Sequence, residues 1–201
     1  MLTAYKTPNL FENCLRSIVE KSTYENYEIV LMDHSFGKLS QKEVEQFVPA
    51  SKLQMIQYKK NFNFSQMNNL AAEKAKGDYF IFLNDDTEVI TPDWIESMLE
   101  HAQGAEVGAV GVKLLYPDET IQHGGIFLVD YGGGAKHAFR FLPKVADGYR
   151  GLLKVTRNCS AVTFACVMVP KKVFLNLKGL DENLKVECND VDFCLRAIEA
   201  G

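Results

Sequence analysis

This 201-residue sequence predicts an α/β fold with a mainly parallel central sheet and helices on both faces. Three observations carry that prediction. Short apolar runs alternate with stretches of helical periodicity along the first half of the chain. One run, Tyr79 to Leu83 (YFIFL), is continuously apolar, as expected of a parallel strand covered on both faces. Carboxylates (Asp33 and the pair Asp85-Asp86) stand where two of these runs stop, the edge of an open parallel sheet at which ligands bind.

The elements follow in order. Leu10, Cys14, Leu15, Ile18 and Val19 recur at three- and four-residue spacing, which predicts a helix over 9–21 with Thr7-Pro8 as its cap and first turn. A strand is expected over 27–32 (YEIVLM), a short helix over 40–47, a strand over 53–58, and a helix over 64–76 stopped by Gly77. The strand over 79–83 ends at Asn84-Asp85-Asp86, and Thr91-Pro92 opens a helix carrying Trp94, Ile95, Met98 and Leu99. The second half is more mixed. It predicts a strand over 107–112, an extended stretch over 120–129, a loop at Gly132-Gly133-Gly134 and an eight-residue apolar strand over 162–169. A helix over 170–177 follows, ended by Gly179, and a last helix runs from Asn189 to Ala200. No linker or repeat interrupts 1–201, which reads as one domain. A fold of this kind begins with a strand, whereas this chain opens almost directly into a helix. The first strand is therefore expected to be missing, the chain to be part of a longer protein, and the exposed edge to favour a homo-oligomer.

Composition narrows the function. Hydrophobic residues at 47% and charged residues at 24% are ordinary globular values and exclude disorder, collagen and coiled coil. A net charge of −4 argues against a nucleic-acid partner. No apolar run approaches the ~20 residues that span a bilayer, and the N-terminus lacks a signal pattern. Five scattered cysteines without a CxxC pair give no zinc or redox motif; Cys14, Cys166 and Cys194 read as small core residues in a reducing compartment.

The chemistry-bearing segments read two ways each. Asn84-Asp85-Asp86 suits Mg²⁺ or Mn²⁺, which takes one or two carboxylates and shares its remaining shell with phosphates; it also suits a polar turn. Asn189-Asp190-Val191-Asp192 is either a capped helix start whose acids complement the dipole, or a site for Asp190 as general base. Asp33 either meets a nucleobase or ribose or caps a turn. The amide-rich stretch over 61–69 (NFNFSQMNN) either caps the next helix or binds phosphate at its start. His123 and His137, fourteen residues apart, are a weak metal signal. No GxxxxGK[ST] loop is present, which removes P-loop ATP hydrolysis.

Four segments in order, Phe62 to Leu70 (FNFSQMNNL), Gly77 to Trp94 (GDYFIFLNDDTEVITPDW), Gly108 to Gly125 (GAVGVKLLYPDETIQHGG) and Asn189 to Gly201 (NDVDFCLRAIEAG), resemble blocks of the family 2 glycosyltransferases. The branch most resembled builds bacterial cell-surface polysaccharides or glycosylates surface proteins. The resemblance implies a GT-A domain, a three-layer α/β/α fold, with 1–105 as the nucleotide-binding half and 106–201 as the acceptor-side half. It implies metal-dependent, inverting transfer of a sugar from a nucleotide-sugar donor, a UDP-sugar favoured, to a glycan or glycoprotein acceptor. Asp86 would bind Mn²⁺ or Mg²⁺, and Asp85 would contact the ribose or share the metal. Asp33 and Thr3 would line the base pocket, and Asn68 would stand near the diphosphate, where many relatives carry arginine. Asp190 would be the catalytic base; Asp192, about 200° further around a helix, cannot share its cleft. Phe164 replaces the glycine usual in relatives, which narrows the acceptor pocket. The resemblance also implies a cytoplasmic protein, peripheral at the inner face of the membrane. The alternative is a clipped, inactive domain that binds nucleotide or glycan, or assembles with partners.

Overall fold

A computed structural model describes residues 2–3, 8–130 and 134–201; at 2, 3 and 8 only the backbone is described. Its elements run β1 (Leu2–Thr3), α1 (Pro8–Lys21), β2 (Ile29–Asp33), α2 (Gln41–Val44), β3 (Leu53–Gln57), α3 (Phe64–Lys74), β4 (Tyr79–Asn84) and α4 (Trp94–Ala102). The second half adds β5 (Val110–Gly111), β6 (Leu114–Leu115), β7 (Ile121–His123), β8 (Ile126–Val129), β9 (Gly134–His137), β10 (Cys166–Pro170), α5 (Lys171–Asn176) and α6 (Asn189–Glu199). Thr7, expected as a helix cap, and Gly132-Gly133 of the glycine loop lie outside the described residues.

Six strands form the central sheet in the order β3-β2-β1-β4-β10-β5. The first four are mutually parallel, while β10 runs antiparallel to both β4 and β5. The expectation of a missing first strand is corrected here. Leu2–Thr3 fills the slot between β2 and β4, pairing Thr3 with Met32 on one side and Asn84 on the other. Two residues suffice because both flanking strands hold them in parallel register. The open sheet edge that motivated self-association is therefore absent at this position.

The period-2 alternation of the strands sorts the core into two layers. Ile29 and Leu31 of β2, Leu83 of β4 and Cys166 and Met168 of β10 pack with Phe11, Leu15 and Ile18 of α1 and Ile95 and Met98 of α4. On the opposite face, Phe80, Phe82, Val167 and Val169 pack with Phe174 of α5 and Phe193 of α6, and Val30 and Met32 pack with Met67 and Ala71 of α3. The result is the three-layer α/β/α arrangement expected from the sequence. Phe82 is central, with ring centroids 4.9 Å from both Phe164 and Phe174.

Several expected strands are shorter than predicted; the one expected over 107–112 is reduced to Val110–Gly111. The apolar run over 162–169 is extended only from Cys166, because its partner β4 ends near Cys166↔Leu83. Residues 163–165 instead turn beneath Asn84, whose amide donates to the Ala165 carbonyl at 2.9 Å. The stretch over 120–129 breaks at Gly124-Gly125 into β7 and β8, with Gly125 at φ +95, where a side chain would be strained.

Candidate active site

The carboxyl ends of the parallel strands carry the candidate site. There, Asn84, Asp85 and Asp86 line a cleft of about 280 Å³ together with Thr163, Phe164, Ala165, Asn189 and Asp190. Phe62 and Phe64 form an aromatic wall, and Val186 stands at the rim. The fold thus brings Asp85, Asp86 and Asp190 to one cavity from positions more than a hundred residues apart. Asp85 is half-buried and Asp86 exposed. Below them, Thr87 donates its hydroxyl to the Asn84 carbonyl at 2.8 Å, closing the turn that presents both acids. The Cys14 thiol lies 3.7 Å from that same carbonyl. Burial, opposed by its bond to Thr87 and reinforced by Asp85 and Asp86, pushes this thiol up to about 12, so it stays protonated. Cys166, pushed up to about 12 chiefly by burial, is likewise an inert core thiol.

Asp190 owes its place to a long-range hydrogen-bond seam. Asn63 caps α3 by accepting from the Gln66 amide at 3.0 Å, and its own amide donates to the Glu182 carbonyl at 2.9 Å. Ser65 donates to the Leu184 carbonyl at 2.6 Å, and Asn69 pairs with both backbone groups of Leu180 at 2.9 Å. The amide-rich stretch over 61–69 therefore caps its helix and, beyond that, fastens the loop over 180–185 that feeds α6. This second role was not legible in the sequence, because each partner lies more than 110 residues away.

The start of α6 differs from the expected cap. Cys188, at φ +63, is the capping residue, and Asn189 is already helical. The buried Asn189 side chain instead donates to the Leu184 and Val186 carbonyls at 3.4 and 3.3 Å. Asp190 is partly exposed in the cleft, one oxygen accepting from the Val191 amide at 2.8 Å. Asp192 does not line the cleft. It is engaged with Arg196 at 2.8 Å, and Arg196 also donates to the Leu177 and Gly179 carbonyls.

Asp33, Thr3 and Asn68 are not among the residues that line this cleft. Asp33 ends β2 and is 2% exposed; one oxygen accepts from the Ser35 amide at 2.7 Å, and the other has no partner among the described residues. β2 and β4 flank β1, so Asp33 lies two strand spacings, roughly 10 Å, along the edge from Asn84. Thr3 ends β1 between them, and its side chain lies outside what the structure describes. Asn68 is buried within α3 and donates to the Phe64 carbonyl at 2.9 Å; its carboxamide oxygen has no partner among the described residues. Phe164 is 1% exposed and forms the cleft floor against Phe82 and Phe193, a core position and not a protrusion. Among the described residues no group of three or more His, Cys, Asp or Glu side chains is placed to hold a metal.

The histidine pair lies on the adjoining hairpin. The β8–β9 hairpin packs on α6 through Ile126, Ala135, Val191 and Cys194. His123 and His137 are joined Nδ1 to Nδ1 at 2.9 Å, and the Gly125 amide donates to His123 Nε2 at 3.3 Å. His123 is buried, which, with His137 and Arg157 nearby, depresses it to about 3 and keeps it neutral. Because its Nε2 accepts, its proton sits on Nδ1 and is donated to His137, whose own proton is then on Nε2. The pair is a tautomer-locked hydrogen bond, and it offers no three-ligand metal site.

Known proteins share the fold and, in part, the sequence. Residues 1–158 match the family described as Glycosyl transferase family 2. The chain is 36% identical over 192 residues to the O-antigen biosynthesis protein RfbC of Myxococcus xanthus, covering 94% of this chain and 15% of that protein. It is 36% identical over 198 residues to the uncharacterized protein y4gI of Sinorhizobium fredii, covering 96% of this chain and 22% of that protein. The chain thus spans under a quarter of the length of either relative. Among solved structures, GalNAc-T7 with UDP, GalNAc and Mn²⁺ superimposes with a TM-score of 0.75 at 17% identity, covering all of this chain and 39% of that one. The mannosyltransferase PcManGT of Pyrobaculum calidifontis, in complex with GDP-Man and Mn²⁺, gives 0.69 at 14% identity, covering all of this chain and 51% of that one. TarS 1–349 of S. aureus gives 0.65 at 14%, covering 98% and 53%. These likenesses establish the GT-A fold, and the match over 1–158 establishes the lineage: the chain belongs to glycosyl transferase family 2.

Proposed function

We propose that this chain transfers a sugar, with inversion, from a nucleotide-sugar donor to a glycan or glycoprotein acceptor of the bacterial surface. The observation that carries the reading is the convergence of Asp85, Asp86 and Asp190 on one cleft beside a fastened α6. A UDP-sugar is the favoured donor. The span of roughly 10 Å from Asp33 to the carboxylate pair suits a nucleoside diphosphate laid along the sheet edge. The free oxygen of buried Asp33 would accept from the base, with Thr3 beside it, and Asn68 would serve the diphosphate end from α3. The names of the relatives and structural neighbours, an O-antigen biosynthesis protein and enzymes solved with UDP or GDP-Man and Mn²⁺, support the same class.

Two adjacent carboxylates, with no third ligand group placed beside them among the described residues, fit a hard divalent cation that shares its shell with phosphate oxygens. Asp86, with Asp85, would hold Mn²⁺ or Mg²⁺, which when bound neutralises the diphosphate leaving group. The remaining work falls to Asp190. As the acceptor oxygen bonds to the anomeric carbon, the bond from that carbon to the diphosphate breaks, its electron pair leaves with the nucleotide, and the hydroxyl proton passes to the Asp190 carboxylate. A cytoplasmic location, peripheral at the inner face of the membrane, belongs to the same proposal.

A thermal-shift screen of UDP-, GDP-, CMP- and dTDP-sugars with and without Mn²⁺ tests this reading, followed by donor hydrolysis. Stabilisation by one donor class that requires Mn²⁺, with turnover, is expected. Stabilisation without turnover would favour the alternative of a nucleotide-binding module, and no stabilisation by any donor would reject the transferase reading and leave a glycan-binding or assembly module.

A further inference from the structure

The segment over 134–157 absorbs none of the chemistry above, yet its surface is unlike the rest of the chain. It carries six Lys and Arg residues against one acid, a local excess of +5, while all other residues together carry −9. Four of the six are otherwise engaged: Lys144 pairs with Glu119, Lys154 with Asp147, Arg157 donates to the Gly124 carbonyl, and Arg140 donates to the Tyr116 hydroxyl while keeping an exposed face. Lys136, Arg140 and Arg150 are exposed with no carboxylate partner among the described residues.

The same segment exposes large apolar side chains: Phe141 is 65% exposed, Val145 76%, Tyr149 67% and Val155 59%. Phe127 on β8, register partner of Lys136, adds a further half-exposed ring. Cations and rings are paired in space. The Arg140 guanidinium stands 4.9 Å from the Phe141 ring centroid, and that of Arg150 stands 5.4 Å from Tyr149. Large apolar side chains exposed together on one segment favour a contact surface. Rings that each carry a cation suit a boundary at which one layer is apolar and the next is anionic.

We propose that this segment, with β8, docks the chain on an anionic lipid surface, the rings entering the acyl boundary and Lys136, Arg140 and Arg150 meeting the phosphates. Acidic groups further from the patch than about 8–10 Å are largely screened at physiological salt and oppose this little. The hairpin in this patch packs on α6 through its other face, against Val191 and Cys194. The proposal extends the placement at the inner membrane face but stands on this surface alone.

Vesicle co-sedimentation tests it, comparing phosphatidylglycerol-containing with pure phosphatidylcholine vesicles, and measuring UDP-sugar stabilisation in parallel so that failure of the donor reading is seen separately. Binding to the anionic vesicles alone is expected. Each cation near such a surface is worth about fivefold in partitioning, so Lys136→Glu with Arg150→Glu should weaken binding at least tenfold. Phe141→Ser with Tyr149→Ser should weaken it similarly, all variants keeping the parent melting profile. Absence of binding to anionic vesicles would overturn the proposal. So would binding that survives the ring changes, since that would be charge capture without insertion.

Discussion

Asn69 and Leu180, 111 residues apart, are joined by two hydrogen bonds of 2.9 Å: the Asn69 amide donates to the Leu180 carbonyl, and the Leu180 amide donates to the Asn69 Oδ1. This reciprocal pair is the centre of the seam that carries α6, and hence Asp190, to the edge of the sheet. Next to it, Gly179 sits at φ +72, and a Cβ there would stand 2.4 Å from the Asn69 Oδ1. The seam therefore dictates both an asparagine and a glycine.

Asn69→Ala should cost about 1–3 kcal/mol, the usual penalty when buried backbone groups lose their partners. Gly179→Ala should cost at least as much, because it adds backbone strain to the collision. Urea unfolding measures both. Neither should be much worse in combination than Gly179→Ala alone, since the two changes break the same seam.

Asp86→Asn should leave the urea midpoint nearly unchanged, since Asp86 is exposed, while abolishing the Mn²⁺-dependent part of donor binding. Calorimetric titration with UDP in Mn²⁺ and in EDTA decides this. Equal UDP affinity for variant and parent in Mn²⁺ would remove Asp86 from the metal site.

Asp190→Asn should slow sugar transfer by about 10²–10⁴-fold with donor binding preserved, the usual loss for a general base. Asp192→Asn should instead lower stability modestly by releasing Arg196 from its partner, with a much smaller effect on rate. Single-turnover assays on both variants separate the carboxylates; the opposite pattern would reassign the base.

Stability should fall as the pH drops below about 6.5. His123 in the unfolded chain takes a proton near that value, whereas in the fold, burial keeps it neutral to about pH 3. Above 6.5 both states are neutral and the contribution is complete. Between 6.5 and 3 the unfolded chain gains a proton that the folded chain refuses, at up to about 1.4 kcal/mol per pH unit. His137, also lowered by burial, adds in the same direction. Urea midpoints at pH 7 and 5 should therefore differ more in the parent than in His123→Asn, which keeps a donor toward His137 but removes the titrating ring.

By itself the sequence determined the layers and the sheet edge. The short continuous apolar runs of β2, β4 and β10 are a local property, so each strand announced its two buried faces, and the strand ends placed Asp33, Asp85 and Asp86 on one side. Only the tertiary structure decided the rest. Leu2–Thr3 is too short to show a period, and it is a strand only because β2 and β4 offer it backbone partners on both sides. Asn189 has the composition of a helix cap, but the fold turns its side chain to the Leu184 and Val186 carbonyls and gives the cap to Cys188. The choice between Asp190 and Asp192 likewise rested in sequence on resemblance alone. It becomes physical when Arg196 occupies one carboxylate and the seam from Asn63 to Asn69 presents the other to the cleft. Hydrogen bonds spanning more than a hundred residues leave no periodic trace in a chain, which is why the scaffold was legible and the position of Asp190 was not.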